Sequence, residues 1–205
     1  YLLGNVNRMQ GRLSESLAYY EKCLEVNPDS AVAYSGLAGA YFELDDLQAA
    51  GQNARKALSL DDSVPSMHFT LASIHEAEGD LQQAAAEYLK EIEVTPEDIG
   101  SHFNLAMIYR VVGRVAEEER QLQRVLEINP EYPRGLLFMA RIYLNRGENY
   151  ARAVEMVTAA VAAPLENQDL ALGYFLLADL HNRLGDPVKS REYAAKAQSL
   201  VSRSP

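Results

Sequence analysis

The chain has 205 residues, 48% hydrophobic and 23% charged, enough apolar material to bury a core, which excludes wholesale disorder. Asp and Glu total 29 against 19 Lys and Arg, a net charge of −10, which argues against a sequence-blind nucleic-acid binder and a polybasic membrane binder. The single cysteine, Cys23, rules out an internal disulfide, and no apolar stretch approaches the roughly 18 residues a membrane-spanning helix needs.

Internal repetition organises what remains. Gly11, Asp45, Gly79, Gly113 and Gly147 stand 34 residues apart, and so do Leu3, Leu37, Leu71, Leu105 and Met139. Gly4, Ala38, Ala72, Ala106 and Ala140 keep the same step, as do Pro28, Asp62, Pro96 and Pro130. The Gly or Asp suits a left-handed residue closing a helix. The Leu ladder reads as core, and the small residues mark close helix approach. The Pro or Asp marks the end of the next helix, because the residue before Pro leaves the α region.

In chain order, the pattern predicts helix pairs over 1–10 and 14–26, 30–44 and 47–60, 64–78 and 81–94, and 98–112 and 115–128. Two more follow over 132–146 and 150–162, and over 168–184 and 187–201. The repeats lie near 1–28, 30–62, 64–96, 98–130, 132–165 and 168–202. The last is offset, since Gly185 follows Gly147 by 38 residues. One extra residue falls in Glu148-Asn149-Tyr150 and about three in the loop from Pro164 to Gln168. Asp186-Pro187 reads as an N-cap followed by a first-turn Pro. No strand pattern is present.

These residues resemble the tetratricopeptide repeat family. Repeat two carries the motif as Tyr34, Leu37, Ala38, Tyr41, Asp45, Ala50, Ala54, Ala57 and Asp62. Repeat three reads His68, Leu71, Ala72, His75, Gly79, Ala84, Tyr88, Glu91 and Pro96. Repeat four reads His102, Leu105, Ala106, Tyr109, Gly113, Glu118, Leu122, Val125 and Pro130. Repeats one, five and six keep it in part, as in Gly11, Ser16, Tyr20 and Cys23. The resemblance implies an all-α, right-handed superhelical solenoid of antiparallel helix pairs, 1–205 forming a single solenoid. Glu91 and Glu118 depart from the family's Ala. An unpaired buried carboxylate is costly, so either the packing loosens or Arg side chains pair with them.

Signatures of chemistry are missing: no Gly-rich phosphate loop, no His-Glu-x-x-His, no Cys-x-x-Cys and no recognisable triad. Cys23 is expected to be a buried thiol. His68, His75, His102 and His181 fall where the family keeps aromatics, so packing is expected of them. The rival is a metal site from His68 and His102, which lacks the third and fourth ligands such sites need. No catalytic residue, cofactor or metal is expected.

Function is expected on the first helices, which in the family line a concave face that binds peptides. The inward positions carried over are Asn5 and Arg8; Ser35, Gly39, Phe42 and Glu43; and Phe69, Thr70, Ser73 and Glu76. They continue as Phe103, Asn104, Met107 and Arg110; Arg134, Phe138, Arg141 and Asn145; and Phe175, Asp179, Asn182 and Arg183. The expected partner-binding groove is Phe69, Phe103, Asn104, Met107, Arg110, Arg134, Phe138, Arg141, Asn145, Phe175, Asn182 and Arg183. Phe and Arg are typical anchors, and the alternative is that the rings pack between neighbouring first helices. Arg110, Arg134, Arg141 and Arg183 would favour acidic side chains or a terminal carboxylate. The chaperone-binding members use Lys and Asn at set positions; Asn5 and Asn104 stand there, but the Lys partners do not.

The resemblance thus implies a non-catalytic scaffold presenting a groove to a protein or peptide, with no nucleic acid and no membrane insertion. Its rivals are a structural subunit of an assembly, or a domain appended to an enzyme whose catalytic part lies elsewhere. Tyr1, Leu2 and Leu3 open inside a helix, and Leu200 and Val201 are followed only by Ser-Arg-Ser-Pro. The chain is therefore expected to be part of a longer one, at least one of its open ends covered by the parent, a partner or a second copy. Arg outnumbers Lys 14 to 5, which suggests a GC-rich bacterial source. The compartment stays open between cytoplasm and periplasm.

Overall fold

The computed structural model describes residues 1–202; the last three residues of the sequence lie outside the described residues. Twelve α-helices and no strand occur among the described residues. They are α1 (Leu2–Met9), α2 (Leu13–Val26), α3 (Ala31–Glu43), α4 (Leu47–Leu60), α5 (Met67–Ala77) and α6 (Leu81–Val94). The rest are α7 (Ile99–Val111), α8 (Val115–Ile128), α9 (Pro133–Arg146), α10 (Tyr150–Ala162), α11 (Asn167–Arg183) and α12 (Pro187–Val201). They form two compact units, Tyr1–Ile108 and the residues from Tyr109 on.

The 34-residue punctuation is a backbone device. Gly11, Gly79, Gly113, Gly147 and Gly185 all have φ between +72° and +80°, and Asp45 joins them at +62°. After each, the chain donates an N–H back across the turn, as in Arg12 to Asn7 O at 2.9 Å and Asp80 to His75 O at 2.8 Å. This satisfies carbonyls that the helix end would otherwise leave open. Asp46, Asp80 and Asp186 then cap α4, α6 and α12, each accepting the N–H three residues on.

Helix bounds follow the sequence pattern within a residue or two except at α5. There Pro65 and the left-handed Ser66 (φ +67°) delay the helix to Met67 instead of residue 64. The inserted residue near 149 is also left-handed, at φ +53°.

In the first unit, α2 packs on α1 and α3, and α4 on α3 and α5, while α1, α3 and α5 touch in succession. Its core joins Tyr20, Leu37 and Ala40 in one cluster and Ala38, Ala54, Ala57, Val64, Met67 and Leu71 in another. In the second unit, α9 and α11 meet with α10 between them in sequence, around Leu137, Ala140, Ala153, Val157, Ala160 and Leu177. The small-residue ladder is buried throughout, but the Leu ladder fails at its first rung. Leu3 is 59% exposed, because no preceding helix packs on α1 among the described residues.

Candidate binding cleft

Tyr20 shows how a first-helix face is built. Its ring rises from α2 between α1 and α3, where only glycine fits: a Cβ on Gly4 or Gly36 would lie 2.4 Å from the ring. The phenol hydroxyl emerges on the first-helix face and donates to Asn5 Oδ1 at 2.6 Å. Two repeats later, Tyr88 does the same from α6. Its hydroxyl donates to Glu76 Oε2 at 2.5 Å and accepts from Asn104 Nδ2 at 2.9 Å. Burial, and then the hydrogen bond to Glu76, push this phenol's pKa well above its ordinary value. Phe69 meets the Tyr88 ring edge-on at 5.5 Å, in a space that Gly100 leaves open.

Between these two tyrosines lies a cleft of about 400 Å³ within the first unit. Its floor is α3, which presents Ser35, Gly36 and Gly39. Asn5 and Arg8 of α1 form one wall, and Met67, Phe69 and Thr70 of α5 the other. Phe42 and Glu43 close one end, where Arg8 Nη1 donates to Glu43 Oε1 at 2.7 Å. The Arg8 Nε is buried and has no acceptor among the described residues.

Several arginines of the second unit have partners inside it. Arg141 Nη2 donates to Glu118 Oε1 at 2.9 Å. The Phe138 ring is held between two guanidinium groups, Arg110 at 5.0 Å and Arg141 at 4.7 Å. Burial pushes the Glu118 carboxyl up, against the charges of Arg141 and Arg110. Burial, and then the like charge of Arg110, pull Arg141 below its ordinary value, against Glu118. Arg134 Nε stands 3.2 Å from Asp169 Oδ2, and Arg146 grips Glu119 with both terminal nitrogens at 3.0 and 2.6 Å.

Other polar groups are structural. Glu91 on α6 accepts from the backbone N–H groups of Ser66 at 2.8 Å and Phe69 at 3.3 Å. It thereby caps α5, whose own N-cap side chain makes no such bond. His68 Nδ1 lies 2.6 Å from Glu87 Oε2, and Lys90 donates to Glu87 Oε1 at 2.7 Å. His102 Nε2 is 3.1 Å from Pro96 O, and His181 stacks on Tyr193. Among the described residues no three His, Cys, Asp or Glu side chains gather as a metal would need, and Cys23 is half-buried.

The tetratricopeptide repeat family matches residues 1–63, and again residues 69–133 and 138–205. The chain belongs to the tetratricopeptide repeat family. Solved structures agree on the fold. The chain is similar to PilF of Pseudomonas aeruginosa, at 20% identity over 99% of this chain and 90% of that one, with a TM-score of 0.83. It is similar to PilW, described as a widely conserved type IV pilus biogenesis factor, at 20% identity, 99% and 92% coverage and a TM-score of 0.74. It is also similar to YrrB, described as a tetratricopeptide protein with an unusual peptide-binding site, at 17% identity, 90% and 93% coverage and a TM-score of 0.72. No curated protein matches the sequence. The family is in general a non-catalytic interaction module.

Most of the tetratricopeptide inward positions fall into three groups. Asn5, Arg8, Ser35, Gly39, Phe42, Glu43, Phe69 and Thr70 all line the cleft. Asn104 and Met107 are half-buried, while Arg110, Arg134, Asn145, Phe175, Asn182 and Arg183 are exposed. Phe103 and Phe138 are buried, at 2% and 5% exposure, so neither ring stands open as an anchor. The guanidinium groups of Arg110 and Arg141 lie over the Phe138 ring. Arg134 and Arg141 carry carboxylate partners, so the expected surplus of positive charge is partly neutralised. The sequence points to repeats three to six, whereas the cleft formed by α1, α3 and α5 belongs to repeats one to three. The small residues Gly36, Gly39 and Ala54, clustered in one repeat, are the signal that pointed there. Of the two unusual carboxylates, Glu118 has its arginine. Glu91 has backbone amides instead, neither the loosened packing nor the Arg pairing expected for it.

Proposed function

We propose that this tetratricopeptide chain is a non-catalytic scaffold that binds an extended segment of another protein on its first-helix faces. The observation that carries the reading is the cleft of about 400 Å³ floored by Ser35, Gly36 and Gly39. It combines apolar rings, a charged pair and polar hydroxyls, the mixture expected where a peptide is both anchored and oriented. In the second unit Arg110, Arg183, Asn145, Asn182 and Phe175 are exposed, and each is a further candidate contact. Arg110 and Arg183 favour acidic side chains there, and Phe69, Asn104 and Met107 serve the first unit.

A peptide array probed with the wild-type chain, Phe42→Ala/Phe69→Ala and Arg110→Ala/Arg183→Ala tests this. Circular dichroism checks that each variant folds. The cleft variant is expected to lose a set of peptides at least tenfold, and the arginine variant to lose acidic ones. An array unchanged by both variants defeats the reading.

A second reading has its own support. The outer side of α1 exposes Leu2, Leu3, Val6 and Met9, an apolar row that suits a permanent neighbour. Under this reading the chain is a subunit of an assembly. Light scattering of the wild type against Leu3→Glu/Met9→Glu separates it: a shift from larger species to monomer favours the assembly.

A further inference from the structure

We propose that the cleft on α3 receives an aromatic side chain from the bound segment, which takes the place of a tyrosine the second repeat lacks. This rests on the peptide-binding reading above and specifies its ligand.

The repeat supplies the comparison. Tyr20 and Tyr88 stand 68 residues apart, and the position midway between them is Ala54. The atoms that meet the Tyr88 hydroxyl belong to Ser73, Glu76 and Asn104. Moved back by one repeat of 34 residues, these become Gly39, Phe42 and Thr70. All three line the cleft. The outer end of the slot that a tyrosine fills in repeats one and three is thus open in repeat two.

A second departure removes atoms from the same place. Asn5 and Ser73, which meet the two hydroxyls, correspond to Gly39, which has no side chain. The atoms nearest to a Cβ at Gly39 belong to the far end of Arg8, with Nη1 at 3.0 Å. The inner end of the slot is occupied by a compensating exchange. Tyr20 is followed by Ala33 and Tyr88 by Ser101, but Ala54 is followed by Met67 at the same register position. Met67 packs with Ala54 and Ala38 and also lines the cleft, so the cleft ends on a thioether. Sulfur and an aromatic ring attract one another.

The remaining groups suit a ring with a polar edge. The Phe69 ring stands on one wall and the Arg8 guanidinium on the other. The Arg8 Nε, buried without an acceptor, can donate to a phenol oxygen or to the segment's backbone carbonyl. An aliphatic side chain would gain the burial but neither the ring contacts with Met67 and Phe69 nor a phenol oxygen for Arg8.

The chain contains no tryptophan, so a Trp-bearing peptide reports on its own surroundings without background. The probes are acetylated and amidated Ser-Ala-Xaa-Ala-Ser peptides with Xaa as Trp, Tyr, Phe, Leu or Ala, titrated against the whole chain. Trp emission and the amide shifts of Gly36, Gly39 and Thr70 are read by fluorescence and NMR. Trp, Tyr and Phe are expected to bind at least tenfold more tightly than Leu, and to move these three amides. Ala54→Tyr/Met67→Ala restores the pairing of repeats one and three, and should abolish binding while the helical spectrum stays intact. Gly39→Phe, whose Cβ has the flexible end of Arg8 as its nearest neighbour, is the second blocking variant if the double one fails to fold. Arg8→Gln should weaken the Tyr peptide more than the Phe peptide. Equal binding by Leu overturns the aromatic preference and leaves a peptide cleft, so the two readings fail separately. Aromatic binding unaffected by both blocking variants overturns the proposal. So does self-association that these variants abolish without any peptide effect, since the occupant is then a second copy.

Discussion

Glu118 and Arg141 form an ion pair at 2.9 Å, with the carboxylate side chain 4% exposed and the guanidinium 21% exposed. The pair joins α8 to α9, and it holds Arg141 against the ring of Phe138. Removing one member of a buried pair leaves the other charge without compensation. Glu118→Ala is therefore expected to destabilise the chain by about 3 kcal/mol. Glu118→Leu/Arg141→Met should recover most of that loss. Urea unfolding of the three proteins measures both, and a double variant as weak as the single one would refute the account.

Glu87 gives a pH dependence with a definite sign. Burial alone would raise its carboxyl pKa; hydrogen bonds from Lys90 and His68, with their charges, outweigh that and hold it below its ordinary value. The unfolded chain then binds more protons than the folded one as this group titrates. Its contribution is present above the unfolded pKa and is lost as pH falls through the lower folded one. Glu87→Gln should flatten the acid limb, losing less stability than wild type from pH 5 to pH 3. Urea midpoints across that range check it.

Asp45 holds the left-handed turn that glycine holds in the other repeats, at φ +62°. Asp45→Gly relieves the strain of an L-residue there, at some cost in unfolded-state entropy. A net gain of about 0.5 kcal/mol is expected. A thermal melt decides it, and any drop in the midpoint would mean that Asp45 makes a compensating contact.

Gly36→Ala should have the opposite outcome. The new methyl would lie 2.4 Å from the fully buried ring of Tyr20, which has nowhere to move. A loss of about 2 kcal/mol or more is expected, typical of overpacking in a dense interior. Gly36→Ala/Tyr20→Leu should regain part of it.

The helices were legible because every repeat states its turn, its core and its close contacts at one spacing. Gly113 and Ala106 need no knowledge of their neighbours to be read. The site was less legible, because a position on a helix face does not disclose what covers it. Phe138 stands at an inward position, yet Arg110 and Arg141 from two helices close over it. Glu91 looked anomalous because its partners are backbone amides, which become available only because Ser66 adopts a left-handed turn. The cleft is hard to read from the sequence for a related reason. It is made by what Ala54 and Gly39 lack, and a pattern of residue types advertises only the side chains that are present.

The bond from Glu91 to the first amides of α5 bears on how the first unit comes apart. A carboxylate on α6 holds the opening turn of α5, so α6 cannot unwind past Glu91 without releasing that turn. The two helices are expected to open together as one cooperative block. The Ser66 amide, exposed to solvent in residue terms, should exchange its hydrogen as slowly as the middle of α6, a local clock for the opening of the wall beside the cleft.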